Sequence, residues 1–109
     1  MTVEEINECI SECLACIKAC NIFYGTCLQE EDLSMMKKCI QLDRDCADIC
    51  ALAVQYMTTQ SSFAKEICRL CADICEACAE ECTRHNHEHC QKCAKACRRC
   101  PQACRKMAA

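Results

Sequence analysis

Cysteine takes the positions along this chain that a stripe of apolar side chains would normally occupy. The cysteines fall into four groups, and successive members of a group are mostly three or four residues apart. That spacing places side chains on one face of an α-helix, in the a and d pattern of helices that pack into a bundle. Each group therefore predicts one helix with a core-facing row of thiols. The four groups are Cys9, Cys13, Cys16, Cys20 and Cys27; Cys39, Cys46 and Cys50; Cys68, Cys71, Cys75, Cys78 and Cys82; and Cys90, Cys93, Cys97, Cys100 and Cys104.

The ends of the four helices are marked by residues that commonly cap them. Thr2 and Glu5 have the spacing of a capping box, and Asp32, Ser62 and Asn86 are expected to cap the second, third and fourth helices. The predicted helices cover residues 3–29, 33–58, 62–84 and 87–107. Since only a few residues connect them, neighbouring helices should be antiparallel. The predicted fold is all-α: an antiparallel up-down-up-down four-helix bundle with a cysteine-lined core, forming a single domain over residues 1–109.

The high cysteine content, 18 of 109 residues, raises the question of disulfide bonds. A short secreted chain of this kind would be a disulfide scaffold. The sequence, however, begins with acidic residues and has no basic segment followed by an apolar run, so we expect no signal peptide, no membrane association and a cytoplasmic location. One glycine and one proline also fit long helices better than a loop-rich scaffold.

Charge and motifs exclude several classes of function. A net charge of −3 and an aromatic content of 4% do not fit a nucleic-acid-binding protein. The sequence contains no nucleophile–base pair, phosphate-binding loop or open metal triad, and we expect no enzymatic activity. Metal binding is the chemistry that remains for the thiols.

The spacing of the cysteines favours metal binding over disulfide formation. Residues three or four apart on a helix have Cβ atoms roughly 5 to 6 Å apart, whereas a disulfide needs about 3.5 to 4.5 Å. Thiolates select Cu(I), zinc or iron–sulfur clusters. Cu(I) accepts two or three sulfur ligands and shares them between ions, so a continuous thiol column suits several Cu(I) ions per chain. A zinc or cadmium sink of the metallothionein kind remains an alternative, because a helix bundle could assemble the four ligands that zinc prefers from neighbouring layers.

An iron–sulfur electron carrier is the third alternative for these thiols. The run of Cys90, Cys93, Cys97, Cys100 and Pro101 resembles the cysteine run of bacterial ferredoxins, which also ends in Cys-Pro. The order of its spacings differs, and the helical repeat continues to Cys104. The run therefore reads as part of the fourth helix.

The sequence resembles the cytosolic branch of the bacterial copper storage proteins over nearly its whole length. Residues 42–53 (LDRDCADICALA), 67–78 (ICRLCADICEAC) and 89–97 (HCQKCAKAC) carry the resemblance. It implies a four-helix bundle filled with thiolate-bound Cu(I), a cytosolic location and a homotetramer. Copper exchange with a chaperone or chelator would accompany such a role, whether that role is supply or detoxification.

The heptads predict two different ends for the bundle. Ile6, Met57, Ala64 and Met107 should form an apolar end, in which the methionines are packing residues. The opposite end should collect Cys27, Cys39, Cys82 and Cys90. There, Met36, His87 and His89 are candidate entry ligands for Cu(I), together with the nearby Met35 and His85. An ordinary solvated connection between helices remains the alternative interpretation of the histidines.

Three residues interrupt the pattern. Asp43 lies on the cysteine face of the second helix, where a buried carboxylate needs a partner. Arg44 points to a different face, so we expect a partner from another helix, or a copper ion that makes Asp43 an accessory ligand. Phe23 takes a cysteine position and should narrow the metal column. Pro101 lacks a backbone donor and should kink or loosen the last helix.

Overall fold

Four α-helices form the structure, a computed structural model that describes residues 2–109. They are α1 (Val3–Cys27), α2 (Lys37–Thr58), α3 (Ala64–Cys82) and α4 (Glu88–Ala108). A short 3-10 helix (Ser34–Met36) leads directly into α2. Each helix packs against the next one along the chain, and α4 closes the bundle by packing against α1. The predicted all-α bundle is confirmed.

The sulfur atoms show that the neighbouring helices are antiparallel. From the beginning of α1 to its end, successive cysteines contact cysteines of α4 with progressively lower residue numbers. The same relation holds between α2 and α3, where Cys39 pairs with Cys82, Cys46 with Cys75 and Cys50 with Cys71. This register brings the four cysteine stripes together along one axis. The α1–α4 pairs are Cys9 with Cys104, Cys13 with Cys100, Cys16 with Cys97 and Cys20 with Cys93.

The first helix begins as the sequence predicts. The backbone N–H of Glu5 donates to Thr2 Oγ1 at 3.1 Å, and the backbone N–H of Thr2 donates to Glu5 Oε1 at 3.2 Å. These reciprocal bonds satisfy two donors that a helix start would otherwise leave open. They also lower the pKa of Glu5, chiefly through the Thr2 backbone bond.

The other predicted caps need correction. The cap of α4 is His87 and not Asn86, and it makes no side-chain capping bond. The cap of α3 is Phe63 and not Ser62, and the backbone N–H of Phe63 donates to Ser61 Oγ at 3.1 Å. Asp32 does accept a backbone hydrogen bond, from Ser34 at 3.0 Å, but this bond precedes the 3-10 helix and α2 begins only at Lys37.

The core consists mainly of thiols. All 18 cysteines have no exposed surface. Met57 and Met107 are buried as well, which agrees with their predicted role in packing. Apart from Ile49, which is buried, the larger aliphatic residues that pack around the thiols are only partly buried; they include Ile6, Ile10, Ile17, Ile40, Ile67 and Ile74. The apolar stripe of an ordinary bundle is thus replaced by sulfur, and the aliphatic side chains form its flanks.

Two further features bear on the site. Pro101 is buried inside α4, and the helix continues past it to Ala108, so the last turns that carry Cys104 remain helical. None of the helices within residues 2–109 combines the length and the apolar character needed to cross a bilayer.

Candidate metal centre

The sulfur column is most crowded near the middle of the bundle. Cys46 Sγ lies 3.0 Å from Cys75 Sγ and 3.4 Å from Cys16 Sγ. Cys50 Sγ lies 3.5 Å from Cys75 Sγ and 3.6 Å from Cys71 Sγ. These contacts join three helices through sulfur alone. They place thiols close enough for one soft metal ion to bind several of them.

Groups of four thiols surround several positions along this column. The sulfur atoms of each group lie within 4.8 Å of one another, and every cysteine in them is buried. The groups overlap, because Cys16, Cys20, Cys46 and Cys97 form one of them while Cys16 and Cys46 also belong to another. Three of the groups have no member in common, so separate tetrahedral sites with four exclusive ligands each would use 12 of the 18 thiols, whereas ions that share sulfur atoms can use more of them. Other groups are Cys13, Cys71, Cys100 and Cys104; Cys20, Cys78, Cys93 and Cys97; and Cys50, Cys71, Cys75 and Cys100.

The protonation of the thiols is set by burial and by their mutual hydrogen bonds. Hydrogen bonds from neighbouring thiols, that of Cys100 first, lower the pKa of Cys13 and of Cys16. At the end of the column near the histidines, burial raises the pKa of Cys27 to about 11 and that of Cys90 to about 12. Metal binding at these two thiols must therefore displace a tightly held proton.

Asp43 is the one fully buried carboxylate among the described residues. Its Oδ2 atom accepts hydrogen bonds from Arg44 Nε at 3.0 Å and from Arg44 Nη2 at 2.9 Å. The expectation that Arg44 faces away is wrong, because the long guanidinium side chain folds back over its neighbour, while a partner from another helix is present as well, the Cys93 thiol of α4. Burial raises the pKa of Asp43 to about 7, although the hydrogen bonds from Arg44 act in the opposite direction.

The second oxygen of Asp43 faces the thiols. Cys93 Sγ lies 3.7 Å from Asp43 Oδ1 and can donate to it. Arg44 holds the carboxylate in this orientation through further contacts with α1. Its Nη2 donates to the backbone oxygen of Cys20 and to Asn21 Oδ1, each at 3.0 Å, and its guanidinium lies 4.3 Å from the centre of the Tyr24 ring. One carboxylate oxygen is thereby fixed by Arg44 and the other is presented to the column.

The opposite end from Met57 and Met107 contains the predicted histidines. Met36 is buried there, and the His89 ring lies 5.4 Å from the Phe23 ring and 5.3 Å from the His87 ring. His89 Nε2 is buried without a hydrogen-bond partner among residues 2–109, with Glu30 Oε1 3.9 Å away. His87 is exposed. Imidazole nitrogen is a good ligand for copper, so this end offers candidate ligands that lead from the surface inward.

His85 lies in a different environment from the other two histidines. Its Nε2 atom is 3.1 Å from Glu81 Oε2, while Glu81 Oε1 accepts from Arg84 Nη1 at 3.2 Å and lies 3.8 Å from Lys38 Nζ. Glu81 is buried, so these cationic and imidazole partners satisfy it. His85 therefore belongs to an ionic cluster on the side of the bundle.

The chain is similar to a known family of proteins. The family described as copper storage protein, Csp, matches residues 2–109. The chain belongs to this family. The match includes all four helices and all 18 cysteines of the column.

Solved structures support membership of the copper storage family. A Cu(I)-bound copper storage protein, BsCsp3, is 57% identical, with a TM-score of 0.92 over 96% of this chain and 99% of that chain. A cytosolic copper storage protein from Streptomyces lividans, described with five coppers, is 39% identical, with a TM-score of 0.91 over 96% of this chain and 92% of that chain. An uncharacterised cysteine-rich protein of Bacillus subtilis, YhjQ, is 57% identical over 72 residues, or 65% of this chain and 67% of that protein.

Sequence reasoning missed two parts of this copper storage fold. The two hydrogen bonds from Arg44 to Asp43 Oδ2 are not expected from the sequence, because adjacent residues lie on different faces of a helix. The role of Glu81 was not foreseen, although Glu81 and His85 have the i,i+4 spacing that could have indicated their contact. The predicted convergence of the cysteines is observed, and Met36, Asp43 and His89 all lie in the half of the bundle that contains the histidines.

Proposed function

We propose that this chain stores several Cu(I) ions on the thiolates of its core, with all 18 cysteines available as ligands. The observation that carries the proposal is the overlap of the thiol groups in a fully buried column. Because sulfur atoms are shared, one cysteine can bind two ions, and this arrangement suits a metal ion that takes two or three ligands. Membership of the copper storage family and its Cu(I)-bound relative support copper as the metal.

The zinc and iron–sulfur alternatives fit the geometry less well. Zinc sites with four exclusive ligands, drawn from the three groups that have no member in common, would use 12 of the 18 thiols and make no use of the sharing. An iron–sulfur cluster needs four cysteines around one compact cluster, usually arranged by a turning loop. Here the cysteines Cys90 to Cys104 lie on one continuous helix. The thiols are therefore best used by a chain of low-coordinate ions.

Four other residues are proposed as accessory or entry ligands. Asp43 offers one carboxylate oxygen to the column beside Cys93. Met36, His87 and His89 offer a thioether and two imidazoles at the end near Cys27 and Cys90. The unpartnered Nε2 atom of His89 supports this role, since a buried ring nitrogen without a partner is costly unless a ligand satisfies it. Copper entering at this end would meet His87 before His89.

The biological setting is proposed on the family resemblance. The chain acts as a single non-catalytic domain over residues 1–109 in the cytosol, where the Streptomyces relative is described. By the family resemblance it assembles as a homotetramer. Copper reaches and leaves it by exchange with a chaperone or a small chelator. Sedimentation equilibrium of the reduced apoprotein tests the assembly, since a monomer at micromolar concentration would contradict the tetramer.

Anaerobic titration of the reduced apoprotein with Cu(I) tests the function. In competition with a strong Cu(I) chelator, we expect roughly 9 to 18 ions per chain, from about one ion per two cysteines to one per cysteine. Replacing Cys46 by Ala should lower this number, because Cys46 belongs to two of the thiol groups. The matched control, replacing the exposed Ser62 by Ala, should leave it unchanged. Saturation near four ions, with zinc preferred over Cu(I), would contradict copper storage.

A further inference from the structure

Positive charge is concentrated on α4. Six of the 13 lysine and arginine residues of the chain lie on this helix, against a single acidic residue, so α4 carries a net charge of +5. Since the whole chain carries −3, the other residues together carry −8. Of the four helices, α4 alone has a net positive charge. Its cations are Lys92, Lys95, Arg98, Arg99, Arg105 and Lys106.

Half of these cations have no carboxylate partner within residues 2–109. Lys95, Arg98 and Arg99 form no ion pair there, and all three are exposed. The other three cations each lie within 3.9 Å of a carboxylate oxygen of α1, α3 or α4. Positions three and four apart are neighbours on the surface of a helix, so Arg98 and Arg99 both lie next to Lys95. We call these three residues the basic patch.

An apolar groove between α1 and α4 continues this surface toward the histidine-bearing end. Its volume is about 460 Å³, and its lining includes Ala19 and Ile22 of α1, with Ile22 56% exposed. Lys92 and His89 line the groove on the side of α4. Since Lys92 lies about one turn from Lys95, the groove adjoins the basic patch. An exposed apolar strip beside unpaired cations is a surface suited to a protein partner.

The charges of the rest of the molecule decide which partner fits this surface. An acidic protein is repelled by the net charge of −8 outside α4 and attracted by the basic patch, so it approaches in one orientation, over α4. Lys95 follows His89 by six positions, which is about 9 Å along the helix axis. A small acidic domain seated on the basic patch therefore also covers the proposed entry ligand His89.

We propose that the basic patch and the groove form a docking surface for an acidic protein that carries Cu(I), and that copper is exchanged beside His89. The inference rests on the proposed storage function. In each exchange, the bonds from Cu(I) to two thiolates of the partner break, and bonds to ligands of this chain form. The protons of the thiols that take up the metal pass to the vacated thiolates, and no electron is transferred.

The test uses a pair of synthetic Cu(I)-carrying peptides with the same Cys-x-x-Cys site. One peptide has a run of glutamates beyond a short spacer, and the other has glutamines there. Transfer of Cu(I) from each peptide to the reduced, full-length apoprotein is followed by anaerobic stopped flow. At about 0.01 M salt, the variant K95E/R98E/R99E should accept copper from the glutamate peptide about 10- to 100-fold more slowly than the native protein does, within the range of electrostatic steering.

Three comparisons show whether the effect comes from docking. Transfer from the glutamine peptide should differ by less than about twofold between the two proteins, and near 1 M salt the difference with the glutamate peptide should disappear, because the screening length is then about 3 Å. The single variant R99E should show part of the loss. The matched control K65E reverses an exposed cation at the start of α3 and should keep the native rate. Circular dichroism reports folding, and K95Q/R98Q/R99Q serves if the reversed variant does not fold.

The outcomes separate this surface from the storage function. Equal rates of transfer from the glutamate peptide to native protein and K95E/R98E/R99E would overturn the docking surface, even if titration against a chelator shows the full copper content. A changed assembly of the variant in sedimentation equilibrium, or tighter binding of single-stranded RNA than of the glutamate peptide to the native protein, would overturn it as well. A chain that binds no more than a few Cu(I) ions at equilibrium would overturn storage, and the docking surface with it. A loss confined to the glutamate peptide and the patch variants, at unchanged copper content, would support both.

Discussion

Replacing Asp43 by Asn should change how the stability of the metal-free protein depends on pH. Burial raises the pKa of Asp43 from its ordinary value near 3.8 to about 7 in the folded protein. The folded state therefore holds this proton more tightly than the unfolded state does. Its stabilising effect is fully present below about pH 4 and is lost as the pH rises through about 7.

The size of the effect follows from the two pKa values. A difference of about three pKa units corresponds to about 4 kcal/mol in the free energy of unfolding over the whole range. Between about pH 5 and about pH 7.5, Asp43 alone should lower the free energy of unfolding by roughly 2 to 3 kcal/mol. An Asn side chain has the shape of the protonated acid and does not titrate, so this contribution should be absent from D43N.

Urea unfolding of the reduced apoprotein at the two pH values measures the difference. The quantity of interest is the difference between the native protein and D43N, because the contributions of all other groups are common to both and cancel. Replacing the exposed Asp45 by Asn on the same helix is the matched control and should follow the native curve. If D43N loses as much stability as the native protein between the two pH values, the raised pKa of Asp43 is refuted.

Two other substitutions test contacts that fix the helices. Replacing Arg44 by Met should lower the free energy of unfolding at about pH 8 by roughly 2 kcal/mol, because it removes two hydrogen bonds to the Asp43 carboxylate, which is ionised above its pKa of about 7. R44K should recover part of this loss, and urea unfolding measures both. Replacing Thr2 by Ala removes the capping box of α1 and should cost about 1 kcal/mol. An unchanged unfolding midpoint in T2A would show that the first turn of α1 contributes nothing to stability.

The fold and the main site could be predicted because they depend on a signal repeated along the chain. Each helix carries several cysteines at spacings of three or four, and an error at one position does not change the face to which the others belong. The same repetition predicts burial, since four such faces can only be covered by packing against one another. The full burial of Cys9, Cys46, Cys75 and Cys104, one from each helix, is the direct result.

The features that could not be predicted each depend on a single local choice. Ser62 and Asn86 are both good capping residues by type, yet the chain turns into the helix one residue later and places Phe63 and His87 at the caps. The position of Arg44 on the helix fixes only the direction in which its side chain leaves the backbone. The flexible stem then lets the guanidinium group reach back to Asp43, and a pattern of helix faces does not predict that reach.

The exceptions to the cysteine pattern are informative because the pattern itself is so regular. A column made only of small thiols would bind metal along its whole length, with nothing to distinguish one end from the other. Met57 and Met107 close one end with side chains that pack well but are poor donors beside a thiolate.

In the other half, Asp43 places a carboxylate oxygen beside Cys93, and Phe23 places an inert ring between Cys20 and Cys27. A buried carboxylate and a missing thiol both cost something in stability or capacity. Their presence in the half that also carries the histidines therefore supports the proposal that copper enters and leaves through this half, while the middle of the column holds the metal.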